Sequence, residues 1–112
     1  MEKSEFFEKN IFLDLKNHNE AFETDSIFYF SEADFEIVLA RIEKFGIGIY
    51  SMEPRLKGVA YEVKRNEDYR KKATDPKWYK RAFLEFKKKE PKLQYSATYK
   101  VSEKLLNRNG KA

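Results

Sequence analysis

The chain contains no cysteine. Disulfides, thiolate metal sites and cysteine nucleophiles are therefore excluded. It has a single histidine, His18, inside a polar Asn-His-Asn stretch. One imidazole with no thiol beside it does not make a zinc site, and nothing nearby in sequence marks a partner for acid–base work. Glycine is scarce, at four residues, and proline scarcer, at three. No glycine-rich phosphate loop, dinucleotide fingerprint or nucleophile elbow can be assembled from them. No apolar run reaches the length of a membrane span. The first ten residues, MEKSEFFEKN, are charged and hold no apolar stretch of signal-peptide length. These absences lead us to expect a cytoplasmic protein with no membrane partner, no metal, no cofactor and no enzymatic activity.

What is present is charge, unevenly placed. Residues 1–53 carry 5 Lys or Arg against 12 Asp or Glu, a net of −7. Residues 54–112 carry 18 against 7, a net of +11. A basic half of this kind attracts nucleic acid or an acidic protein, and it also attracts the acidic half of the same fold. Aromatic residues make up 16% of the chain. In a small domain most of them belong to the core.

At 112 residues the chain is one domain, long enough for a single hydrophobic core. We divide it into an N-terminal extension over 1–24, a core over 25–101 and a tail over 102–112. In the extension, Phe7, Ile11 and Leu15 recur every four residues after a capping Ser4 and predict a helix. SIFYF, residues 26–30, is an apolar strand. Ser31 caps a helix running to Phe45, with Phe35, Val38, Leu39, Ile42 and Phe45 on one stripe and Gly46 as its left-handed stop. Residues 47–52 and 58–64 read as strands, with a turn over 53–58 between them. Asp75-Pro76 starts a second helix with Tyr79, Ala82, Phe83 and Phe86 buried. Residues 93–101 alternate cleanly, with Leu93, Tyr95, Ala97, Tyr99 and Val101 on one face.

The order strand, helix, strand, strand, helix, strand predicts an α+β, ferredoxin-like βαββαβ sandwich. Two helices cover one face of a four-stranded antiparallel sheet, whose first and third strands are central. The same order belongs to the RNA-recognition motif, and the stretch KGVAYEVK, 57–64, resembles that family's central-strand signature at Lys57, Gly58, Ala60 and Tyr61. Val59, Glu62 and Lys64 depart from it. In that family's register Glu62 would face the core unpaired, at a cost of several kcal/mol. The opposite register turns Val59, Tyr61 and Val63 toward the helices, so we read the stretch as a structural strand.

Two surfaces then stand out for binding. The sheet face away from the helices carries Gly48, Tyr50, Met52, Glu62, Lys64, Gln94, Ser96, Thr98 and Lys100, unless residues 1–24 cover it. The basic segment brings Arg70, Lys71 and Lys72, then Trp78, then Lys87, Lys88 and Lys89. We take Tyr50, Met52, Arg70, Lys71, Lys72, Trp78, Lys87, Lys88 and Lys89 as candidate partner-binding residues. The expected function is macromolecular binding, chiefly of a protein, as suits an inhibitor or immunity-type domain. Two alternatives stand beside it: single-stranded nucleic-acid binding by the basic half, and a dimeric module holding a small ligand.

Overall fold

A computed structural model describes residues 2–18 and 28–110. Within them the chain is an α+β domain. Short helix α1 (Lys3–Phe6) passes directly into a π-helical turn, Phe7–Ile11. The long helices are α2 (Glu32–Phe45) and α3 (Pro76–Lys89). The strands are β1 (Gly48–Met52), β2 (Arg55–Leu56), β3 (Val59–Ala60), β4 (Lys64–Arg65) and β5 (Ala97–Lys100). A last helix, α4, spans Glu103–Gly110, longer than the single turn expected after residue 101.

The helix ends follow local chemistry. Ser31 Oγ accepts the Asp34 N–H at 3.2 Å, and Gly46 at φ +69° closes α2. Asp75 accepts the Lys77 N–H at 2.9 Å, with Pro76 at the first helical position of α3. Their apolar stripes meet in one core. Phe35 of α2 stacks on Tyr95 at 5.1 Å, and Phe83 of α3 meets the same ring edge-on at 5.0 Å. The N-terminal segment is part of this core. Phe6, Phe7 and Ile11 are buried, and Arg41 of α2 donates to the carbonyls of Ile11 and Leu13, both at 2.8 Å.

The sheet departs from the ferredoxin-like arrangement. β1 lies in the middle of a three-stranded antiparallel sheet ordered β4-β1-β5, and β2 and β3 pair as a second small sheet. The two are joined, because the β1–β5 ladder continues through Glu53–Ser96 to an Arg55–Gln94 bridge. Residues 48–65 are thus one long hairpin whose first arm lies against 94–100. The predicted third strand is therefore at the edge of the sheet, not in its centre. Of the expected first strand, residues 26 and 27 lie outside the described residues. Phe30 bridges to Tyr95.

A second correction concerns facing. The β1–β5 register slips between Ile49 and Ser51, leaving Tyr50 as a bulged residue. The alternation inverts there, so Ile49 and Met52 are both fully buried while Tyr50 stays 48% exposed. Met52 consequently leaves the open face on which strict alternation had placed it, and Gly48, ahead of the bulge, is buried against the Ala73–Thr74 backbone.

Candidate functional site

Three surfaces carry the candidate residues. The first is a groove of about 700 Å³ between the N-terminal segment and the outer side of β1 and β5. Phe7, Phe12, Phe28, Tyr29, Tyr50 and Tyr99 supply its aromatic lining. Phe12 packs on Phe28 at 4.8 Å and on Phe30 at 4.9 Å, and Phe7 on Tyr99 at 4.8 Å. Burial pushes the pKa of the Tyr99 hydroxyl up, so it stays neutral. Along the sheet beside it, Ser51 Oγ donates to Glu53 at 2.6 Å and lies 2.7 Å from Thr98 Oγ1. With its proton given to Glu53, Ser51 accepts from Thr98. No imidazole enters this chain of hydroxyls. Tyr50 is the only residue of our expected binding set in the groove. Met52, expected beside it, is in the core.

The second surface is basic. Arg70, Lys71 and Lys72 are exposed just before α3, and Lys88 is exposed near its end. The helix between them is about 20 Å long, so the two basic runs do not form one cluster. Lys87 lies 5.0 Å over the Phe83 ring, and Lys89 pairs with Glu62 at 3.3 Å. The outward row of α3, Lys77, Lys80, Arg81, Leu84 and Lys88, is charged but holds no aromatic ring. Trp78, expected to stack a base, is 1% exposed, and its indole N–H points to the Ala73 carbonyl at 3.4 Å. Its position follows from helical spacing, which sets it on the core side together with Ala82 and Phe86. Tyr79 is buried too, and burial pushes its pKa up to about 12, with Glu43 and Asp75 nearby adding to the shift.

The third surface was not among the expected binding residues. Lys57 at φ +51° and Gly58 at φ +81° form a two-residue turn between β2 and β3. Two successive positive φ values make the turn of a tight hairpin, and glycine takes the second without strain. The resemblance at Lys57-Gly58 is thus a turn and not the start of a strand. Beyond it, residues 59–63 are exposed one after another. Val59 is 67% exposed, Tyr61 and Val63 each 38%. They were expected against the helices. Their segment is instead at the sheet's edge, where Tyr61 still meets the Phe86 ring of α3 at 6.3 Å.

This edge is held firmly at both ends. Arg55 donates through Nε to Gln94 and through Nη2 to the His18 carbonyl, and it lies 3.9 Å over the Tyr29 ring. His18 therefore enters through its backbone. At the other end Glu85 accepts from Lys64 at 3.0 Å and from the Tyr69 hydroxyl, with Arg81 at 3.6 Å. The hydrogen bonds from Tyr69 and Lys64 hold the Glu85 carboxyl below its usual range. Burial, with Glu85 beside it, pushes Tyr69 upward.

Among the described residues, no group of His, Asp or Glu side chains stands close enough to hold a metal ion, and no helix is long and apolar enough to cross a membrane. No family model, no curated protein and no solved structure matches this chain.

Proposed function

We propose that this chain is a non-enzymatic binding protein that acts by engaging another protein, and that hairpin β2–β3 with residues 61–63 is the face it uses. The observation that carries this is the row of exposed apolar side chains, Val59, Tyr61 and Val63, on a rigidly anchored edge. Apolar side chains exposed side by side support an interaction site. Aromatic residues at the centre with a polar rim around them are what protein interfaces use, and Tyr61 supplies such a residue here.

The test places a photo-reactive phenylalanine at position 59 of the full chain and crosslinks it in its source cells. We expect one discrete protein adduct that wild-type chain competes away and the double variant Val59→Asp, Tyr61→Asp does not. A different result would move the function to the basic half: salt-sensitive binding of single-stranded RNA, lost on neutralising Arg70, Lys71 and Lys72 and untouched by the Asp variants.

A further inference from the structure

The edge offers more than side chains. Backbone groups along a strand point alternately to its two sides. Arg55 spends its N–H and C=O on Gln94, at 2.8 and 3.0 Å, so they turn away from β3. Its cross-strand partner Ala60 must then turn its own groups the opposite way, off the sheet. Tyr61 donates its N–H to the Pro54 carbonyl at 3.1 Å, which makes it an inward residue. Glu62, next in line, faces outward like Ala60. Neither Ala60 nor Glu62 makes a backbone hydrogen bond on that outer side to any described residue. The register slips by one residue before Lys64 meets Met52, so the straight open edge covers 59–62. Two N–H and two C=O groups stand there, one pair at Ala60 in β3 and one at Glu62 two residues beyond it, beside exposed valine and tyrosine.

Edges of this kind are usually blunted, and this one is only partly so. Its single acidic side chain, Glu62, is already paired with Lys89. Exposed cations flank it, Lys57 at the turn and Arg65 beyond the bulge, with Glu67 and Asp68 exposed next to Arg65. Those cations argue against a second copy of the chain. A two-fold pairing that used Ala60 and Glu62 of both copies would centre on Tyr61 and bring Lys57 of one copy toward Arg65 of the other. Like charges opposed across strands destabilise the pair.

We propose, resting on the protein-binding reading above, that residues 59–62 take up an extended segment of a partner protein as an added β-strand, and that this segment is apolar in its middle and acidic at its ends. Main-chain hydrogen bonds to Ala60 and Glu62 supply affinity, Val59 and Tyr61 read the apolar positions, and the lysine and arginine rim selects the charge.

The experiment titrates the full chain with two short synthetic peptides of alternating valine and threonine, one ended by glutamates and one by lysines. The readouts are backbone amide resonances and hydrogen exchange. The glutamate peptide is expected to shift the Ala60 and Glu62 amides and slow their exchange by about tenfold or more. It should bind about tenfold tighter than the lysine peptide at low salt, with the gap closing as salt rises. Glu62→Pro removes one outward N–H at a position where an edge strand tolerates proline. It should abolish uptake while the melting temperature holds. Equal binding of both peptides, shifts confined to the aromatic groove or to α3, or undiminished uptake by Glu62→Pro would each overturn the proposal. So would protection of Ala60 and Glu62 that grows with protein concentration alone, which would assign the edge to a second copy. If position 59 still crosslinks to a partner while the peptide leaves these amides unprotected, protein binding stands and strand addition fails. If neither occurs, both readings fail.

Discussion

β1 and the 59–63 segment are near neighbours in sequence, both short, both rich in apolar residues, and opposite arms of one hairpin. In β1, Gly48, Ile49, Ser51 and Met52 are buried and Tyr50 alone is exposed. In 59–63 every residue is exposed. Composition does not separate them; position in the sheet does. β1 has a strand on each side and α3 over it, whereas the second arm has a neighbour on one side only. An apolar pattern therefore marks a strand's capacity to be buried, and the sheet order decides whether that capacity is used inside the domain or left for a partner.

Substitutions can break this contrast in graded steps. The largest effect falls on β1: Met52→Ala should cost about 2–5 kcal/mol in denaturant unfolding, because a fully buried side chain leaves a cavity. Val59→Ala, in the same assay, should stay within about 0.5 kcal/mol. A cost for Val59→Ala like that of Met52→Ala would mean that the hairpin packs inside the domain. Gly48→Ala comes next, at about 1–3 kcal/mol, since an added Cβ would stand 2.8 Å from the Ala73 carbonyl carbon and 2.9 Å from the Thr74 nitrogen, both backbone. Gly58→Ala should cost about 1 kcal/mol through its positive φ alone, with nothing near the new Cβ to clash. Tyr69→Phe should cost about 1 kcal/mol or less, and its signature lies in pH. Glu85 is depressed in the fold, so its contribution is complete above its unfolded pKa and is lost as pH falls through the folded value. Removing the Tyr69 hydrogen bond lessens that depression. The fall in melting temperature between neutral and acidic pH should therefore be smaller in Tyr69→Phe than in wild type.

Much of this was readable from residues and some was not, for a consistent reason. Ser31, Gly46 and the Asp75-Pro76 pair announced their helix ends because capping is settled within a few residues. The buried stripes of α2 and α3 followed from spacing. The bulge at Tyr50 left no local mark, and one extra residue was enough to exchange the faces of Met52 and its neighbours. The edge position of 59–65 depends on which arm of the hairpin meets 94–100, a choice made by residues some forty positions away. One signal was available. Lys57-Gly58 between two apolar runs is the spacing of a two-residue hairpin turn, and reading all of 53–58 as turn hid the short strand Arg55–Leu56 within it.

The pairing of β1 with β5 also bears on how the chain reaches this state. Gly48 meets Lys100, and Phe30 meets Tyr95. These pairings join residues 30–52 to residues 95–100, while Phe6, Phe7 and Ile11 bring the N-terminal segment into the same core. The 48–65 hairpin, by contrast, closes on itself through a two-residue turn. All of its residues leave the ribosome before β5 does, so the first arm must wait for its other neighbour. Until β5 arrives, the side of β1 that pairs with it stands open, as the outer side of 59–62 does in the finished protein. Distant pairing of this kind slows folding. The apolar residues of 59–63 are thus exposed in the nascent chain and the mature protein alike, whereas those of β1 are exposed only during that interval.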